Sequence, residues 1–597
     1  LRPLILTQPR RRREKEFDLF PILLRACLDL RAGIEFPGLF GNIIPGGVFT
    51  MSLPRACLLL IASLILAPAA AAQQSQLGKV DFPATGSAKA REHFLRGVAA
   101  LHSFWYEEAL EAFRESTKID PDFLMGYWGE AMAYNHPLWS EQETVSARKT
   151  LEKIKDTSRV TARERAYIEA VKLLYGEGDK RARDRAYSSA MEKIYLDHPD
   201  DLEAASFYSL SLLGVVRPED KGFRNQARAG AIALEVYKKN PDHPGAAHYI
   251  IHAFDDPEHA ILALPAAFRY AEIAPAAHHA RHMPSHIFLQ LGMWTQAASS
   301  NESAWQTSDE WVKRKNLSLI NRDYHSLHWL LYVYLQQGRY QKAEELLALM
   351  KKSIAESKDD NKMRPNYLAN NYANMAATFV VETERWDMAA KIFDSTMAGD
   401  QAAMDHAGHN PSDTVRRTGM NRTLPLFVRG LAAAKLSQSE IEKSIEGLRG
   451  LRNEEKDAYR AKPLEIRELE VAAVAASMKG DHAQAVELMK RATAVENELA
   501  PPSGPPSLIK PSHELFGEIL LRANRAKEAS EEFAVAMLRQ PNRARTLLGA
   551  ARAAAASGDA KRAAEFYSRF VRQWQQADSG LSELREAQEY LKQTSAR

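Results

Sequence analysis

Between His243 and Trp294 the chain reads HPGAAHYIIHAFDDPEHAILALPAAFRYAEIAPAAHHARHMPSHIFLQLGMW. The stretch holds eight of the eighteen histidines: His243, His248, His252, His259, His278, His279, His282 and His286. Two HxxxH pairs stand out, His248/His252 and His282/His286. Residues four apart on a helix share a face, with Cβ atoms about 5–6 Å apart. The second pair follows the first by 34 residues at both positions, which is the period of a helix–turn–helix unit that stacks into a solenoid. Corresponding positions of neighbouring repeats lie on helices about 8–10 Å apart. From there three or four imidazoles can converge to within about 2.0–2.1 Å of one ion.

The ligand set this suggests is His248, His252, His282 and His286, with His328 and Asp255 nearby. Imidazole and carboxylate without sulfur suit zinc, copper, nickel or non-haem iron, and do not suit calcium. There is no HExxH motif, so a zincin-type peptidase is not supported, and no GxSxG or phosphate-binding glycine loop occurs. Both cysteines, Cys27 and Cys57, lie ahead of residue 73. Thiolate nucleophiles, disulfides and cysteine-ligated metals are therefore excluded from the chain beyond that point.

The N-terminal quarter of the sequence divides sharply. Residues 1–50 show no sustained periodicity and are expected to be an upstream extension foreign to the functional protein. The sequence then restarts as MSLPRACLLLIASLILAPAAAAQQ. Arg55 supplies a charged n-region, Ala56 to Leu66 an apolar core, and Ala70-Ala71-Ala72 a small-residue cleavage site before Gln73. Residues 51–72 are thus expected to be a secretory signal, placing the protein in the periplasm or outside the cell. No later stretch has the roughly 20 apolar residues of a membrane span. The net charge of +3 becomes −1 once residues 1–72 are removed, so no nucleic-acid partner is expected.

Helical periodicity dominates the remainder, with no alternating strand pattern. Residues 73–87 read as a polar linker. The following AREHFLRGVAALHSFWYEEALEAFRESTKIDPD sets Gly97, Ala109, Phe113 and Pro121 at positions 8, 20, 24 and 32 of a 34-residue unit. These positions resemble those of the tetratricopeptide repeat (TPR). The expected fold is all-α, a right-handed TPR α-solenoid of helix–turn–helix repeats with divergent repeats and loop insertions. Repeats over 88–140, divergent helical repeats over 141–243 and His-rich repeats over 244–400 precede an expected loop at 401–423, which carries His406 and His409. Helical repeats at 424–500, a Pro-rich linker at 501–511 containing PPSGPP, and C-terminal repeats at 512–597 complete the chain.

The TPR resemblance implies that positions 2, 5, 9, 12 and 13 of each repeat line a concave groove. His248, His252 and Asp255 then occupy positions 5, 9 and 12 of one repeat, and His279, His282 and His286 positions 2, 5 and 9 of the next. His325 and His328 take positions 2 and 5 of a third. Trp128 and His136 fall on positions 5 and 13 of the second N-terminal repeat, suggesting an apolar groove entrance. With His279, His325, Tyr249 and Arg281 they are the candidate ligand-binding residues. Pro284 falls inside a first helix, where an interior proline kinks or breaks the ladder. The helix must therefore either bend there or start there.

The segments HPGAAHYIIHAFD, HHARHMPSHIFLQLGMW and KPSHELFGEILL also resemble secreted bacterial TPR proteins, and His325-Ser326-Leu327-His328-Trp329 resembles a segment of a eukaryotic TPR family. The resemblance implies an α-solenoid and export, and no particular reaction. Three functions are compatible with the residues. One is an exported solenoid that binds a protein or peptide in its groove and carries a transition metal there. Another is a metal-free interaction scaffold, in which the histidines contact the partner or pack as hydrogen-bonded core residues. The last is a metal-dependent hydrolase or oxidoreductase, with Asp255, Asp256 or Glu258 as the nearest acid or base.

Overall fold

The computed structural model describes residues 76–217, 220, 222–357, 366–393 and 411–595. The expected extension (1–50), the expected signal segment (51–72), His406 and His409 lie outside the described residues. The compact unit that begins at Ala67 is built almost wholly of paired helices. It opens with α1 (Ala88–His102), α2 (Tyr106–Ile119) and α3 (Leu124–Ala133). A two-residue antiparallel hairpin follows, β1 (Asn135–His136) with β2 (Glu141–Gln142). Next come α4 (Thr144–Leu151), α5 (Ala162–Leu174), α6 (Lys180–Asp197), α7 (Leu202–Gly214) and α8 (Arg224–Lys239). The His-rich centre is α9 (Pro244–Ala253), α10 (Ala260–Ile273), α11 (His278–His282), α12 (Pro284–Gln290), α13 (Trp294–Lys315) and α14 (Tyr324–Gln336). After α15 (Tyr340–Glu356) and α16 (Tyr367–Thr383), α17 (Pro411–Lys435) covers residues 411–423, expected as loop. The chain closes with α18 (Ile441–Glu454), α19 (Ala458–Met478), α20 (His482–Glu496), α21 (Ser512–Arg522), α22 (Ala526–Arg539), α23 (Ala544–Ala556), α24 (Ala560–Gln573) and α25 (Ser582–Ser595).

The helix pairs close on each other through a repeated device. Phe113 of α2 is fully buried between Gly97 of α1 and Gly129 of α3. A Cβ at Gly97 would come within 2.6 Å of the Phe113 ring, and one at Gly129 within 2.3 Å. Phe533 of α22 sits the same way between Gly517 of α21 and Gly549 of α23, where Cβ atoms would approach to 2.7 and 2.3 Å. Glycine here permits close approach of backbone to ring, so that an aromatic side chain joins three consecutive helices.

Two segments expected as linkers are docked instead. Residues 76–87 run across several repeats. Lys79 N donates to Asp242 O at 2.9 Å, Ala276 N donates to Gln76 O at 3.2 Å, and Phe82 is 1% exposed. The Pro-rich segment folds onto the central repeats, where Gln290 Nε2 donates to Pro502 O at 3.0 Å and Gly504 lies against Trp329. Proline removes a backbone donor and disfavours a helix interior, but leaves its carbonyl free to accept.

Phe113→Ala is expected to cost about 3–5 kcal/mol, read from chemical denaturation. Gly129→Ala should cost about 1–3 kcal/mol through overpacking against the same ring. Adding Phe113→Leu to Gly129→Ala should cost less than the two single losses together, and strict additivity would refute the clamp.

Candidate functional site

The site begins at the start of α9. Pro244 occupies its first turn, where a missing N–H is harmless, and His243 Nδ1 accepts from Ala246 N at 3.1 Å. The helix carries His248, wholly buried, and His252, half-buried, on one face. Pro284 interrupts the next histidine helix without destroying its register. Met283 keeps helical dihedrals (φ −55°, ψ −35°), Met283 N donates to His279 O at 3.0 Å, and His286 N donates to Met283 O at 3.1 Å. His279 and His282 on α11 and His286 on α12 therefore still face one side. His325 comes from α14, whose start is capped by Asp323 accepting from Ser326 N at 3.1 Å.

These rings sort into two triads. The candidate ligand nitrogens of His248, His252 and His279 lie within 4.8 Å of one another, as do those of His282, His286 and His325. The four-ligand set expected from the two HxxxH pairs is thus divided between two groups, each completed by a residue expected to bind ligand, His279 or His325. In the first triad the Nε2 atoms of all three imidazoles are closed off from solvent and have no hydrogen-bond partner. His248 Nδ1 donates to the His102 carbonyl at 2.7 Å, which leaves Nε2 as the ring's free lone pair. Phe104, held at φ +53°, lays its ring 4.3 Å from His248 and 5.7 Å from both His252 and His279. A bulky residue in left-handed backbone is strained, and the strain here walls the triad with an apolar face.

Behind this triad lies a third cluster, His102, Glu203 and His243, wholly buried. His102 Nε2 donates to Glu203 Oε2 at 2.7 Å and accepts from Tyr249 OH at Nδ1 at 2.8 Å, while His243 Nε2 donates to Glu203 Oε1 at 3.2 Å. Every lone pair a metal would need on these rings is engaged, so the cluster buttresses the site. Burial opposes ionisation of Glu203, but His243 and His102 outweigh it and hold the carboxyl far below its usual range.

The other expected residues are distributed as follows. Asp255 stands behind the second triad, its Oδ2 at 2.5 Å from His286 Nδ1. His328 lies outside both triads. Tyr249 is fully buried on His102. Arg281 donates to Pro275 O and Ser303 Oγ, at 2.6 and 2.7 Å, and is a structural tether. Trp128, expected at a groove entrance, is fully buried among Phe82, Phe94, Tyr167 and Phe207; the docked segment 76–87 supplies Phe82 and covers that face. His136 stacks on Tyr106 at 3.8 Å and meets Glu141 at 3.3 Å. Asp256 accepts from Glu258 N and His259 N and pairs with His259, apart from the triads. Phe104 and Asn301 carry no sequence signal of their own, and Trp329, which appears there only within the His325–Trp329 segment, lies 4.1 Å from His286 and 4.9 Å from His282.

Residues 90–123 match the sequence pattern of the family described as Tetratricopeptide repeat. The curated proteins contain no match to the chain. Among solved structures, a tetratricopeptide repeat protein from Parabacteroides merdae is 14% identical, covering 53% of this chain and 97% of its own, with a TM-score of 0.28. The human IFIT1 dimer with PPP-AAAA is 13% identical over 84% of this chain and 94% of its own, with a TM-score of 0.34. Yeast Tom70 is 12% identical over 85% and 89%, with a TM-score of 0.32. At such TM-scores none of these likenesses bears on function. No described helix is long and apolar enough to cross a membrane.

Burial, and then the neighbouring imidazoles, depress the pKa values of His248, His252, His279, His282 and His286, that of His282 to about 3. Unfolded histidine titrates near 6.5, so below that pH the unfolded chain binds protons that the folded chain refuses. Stability of the chelator-treated protein should therefore be full above about pH 6.5 and fall as pH drops toward the depressed folded values, by roughly 1 kcal/mol per pH unit for each such ring. Burial opposes the charge of His278, but Asp323 outweighs it and holds the ring above its ordinary value, a contribution of opposite sign that is full below about pH 6.5 and lost as pH rises through the raised value. Equal urea midpoints at pH 7.5 and 5.5 would contradict this.

Proposed function

We propose that this all-α solenoid of tetratricopeptide type is an exported binding protein for a protein or peptide, with a transition-metal ion held by His248, His252 and His279 at the centre of its array. The observation that carries the reading is that His248, His252 and His279 each offer a ring nitrogen within 4.8 Å of the others, while the Nε2 atoms of all three are solvent-shielded and unpartnered. A buried polar atom left without a partner costs about 1–3 kcal/mol, so three convergent ones form a site with a high intrinsic demand for a cation. A carbonyl fixing the tautomer of a ligand imidazole from behind, as His102 does for His248, is the usual support for a metal ligand. Three imidazoles leave coordination positions open on the ion. An all-nitrogen donor set fits zinc, copper, nickel or iron(II).

Tetratricopeptide arrays bind proteins through extended surfaces made by stacked helices, and the partner-binding part of the proposal follows from that architecture. Export rests on the signal-like segment at 51–72, whose apolar core and small-residue end have the composition of a cleaved leader. A metal-free scaffold would leave the three Nε2 atoms unexplained, which is why the metal reading is preferred.

Elemental analysis by mass spectrometry of the purified full chain, produced without a tag, should find bound zinc, copper, nickel or iron. Replacing His248, His252 and His279 together by alanine should remove it while the helical circular dichroism persists. Absence of any metal after reconstitution of the native chain would sink the reading. In that case the histidines serve packing or a peptide contact.

A further inference from the structure

The second triad presents a different geometry from the first. His282 and His286 face each other through Nε2 atoms 3.1 Å apart. Their outer nitrogens are committed elsewhere. His282 Nδ1 donates to Asn301 Oδ1 at 2.6 Å, and the amide is held in that orientation because Asn301 Nδ2 donates to Ala297 O at 2.8 Å. His286 Nδ1 meets Asp255 Oδ2 at 2.5 Å. With both ring protons on the Nδ1 side, the two Nε2 lone pairs face one another, a contact that a bound cation relieves. Two nitrogens bound to one ion at about 2.0–2.1 Å stand roughly 2.9–3.4 Å apart for octahedral to tetrahedral angles. The observed separation falls in that range.

We propose that His282, His286 and His325 form a second metal site, so that the solenoid holds two first-row transition-metal ions side by side, each on three imidazoles. The inference rests on the reading of the first triad for its metal chemistry, and stands on its own geometry. The two groups adjoin: the His252 ring is 5.8 Å from that of His286, and the His279 ring 5.9 Å from that of His282. Asp255 behind His286 stands where the His102 carbonyl stands behind His248, orienting the ring. Its other oxygen, Oδ1, is buried without a hydrogen bond. Trp329 closes the far side, 4.1 Å from His286, 4.9 Å from His282 and 5.6 Å from His325.

One arrangement competes. A proton carried by Asp255 and donated to His286 Nδ1 would place the ring proton of His286 on Nε2, where it donates to His282. The three groups would then be a proton chain with no metal.

The test counts zinc on the full chain after chelator treatment, reconstitution with Zn²⁺ and gel filtration. About two ions per chain are expected in the native protein. Loss of about one is expected in each of His282→Ala, His325→Ala and His248→Ala, and loss of both in His248→Ala combined with His282→Ala. His325 is only half-buried, so its variant carries the test if His282→Ala does not fold, with circular dichroism as the check. One ion in the native chain, lost with His248→Ala and untouched by His282→Ala and His325→Ala, would overturn the second site and leave the first. Two ions that both survive His282→Ala and His325→Ala would also overturn it. No zinc at all would overturn both sites together.

Discussion

A neutral imidazole has one donor and one acceptor, and burying it obliges the protein to satisfy both. Much of the central architecture answers that obligation on one side of the rings only. The His102 carbonyl receives the Nδ1 proton of His248, Asn301 receives that of His282, and Asp255 lies against Nδ1 of His286. The inward nitrogens of the first triad are left open. The scaffold therefore uses its polar groups to fix ring orientation and tautomer, and leaves the inward side of the first triad to whatever fills the space between the rings.

The solenoid makes this possible because each repeat delivers rings from a rigid first helix. α9 supplies two, α11 and α12 three, and α14 one to the two triads. The helical dihedrals of Met283 let Pro284 interrupt the helix ladder while His282 and His286 stay in contact. Aromatic walls complete the enclosure, with strained Phe104 on one triad and Trp329 on the other. The ionised Glu203 behind the first triad is paid for by two histidines and lies in a seam where the N-terminal helix α1, α7 and α9 meet.

The helical repeats were legible in the sequence because Gly97, Ala109, Phe113 and Pro121 are packing positions, and packing positions are local in a repeat. The 34-residue relation between the histidine pairs correctly placed both on neighbouring helices. It did not show how the rings partition. An HxxxH spacing reports a shared helix face, whereas the choice of third ring depends on how far adjacent helices slide past one another, and that is how His279 and His325 came to complete the triads. Trp128 was misread because its repeat position faces the groove only when nothing covers it, and Phe82 covers it. Composition identified Pro501 to Pro506 as non-helical but carried no information on where the segment docks.

That docking links residues very far apart along the chain. The carbonyl of Pro502 accepts from Gln290, 212 positions earlier, and Gly504 packs on Trp329 beside the second triad. A contact of such high sequence separation forms only after the intervening helices exist and have stacked. During synthesis the histidine repeats emerge well before residues 502–504, which pack beside the second triad. Closure over them is then a late event in chain assembly, setting an order in which the interior is reachable before the fold is complete and sheltered after it.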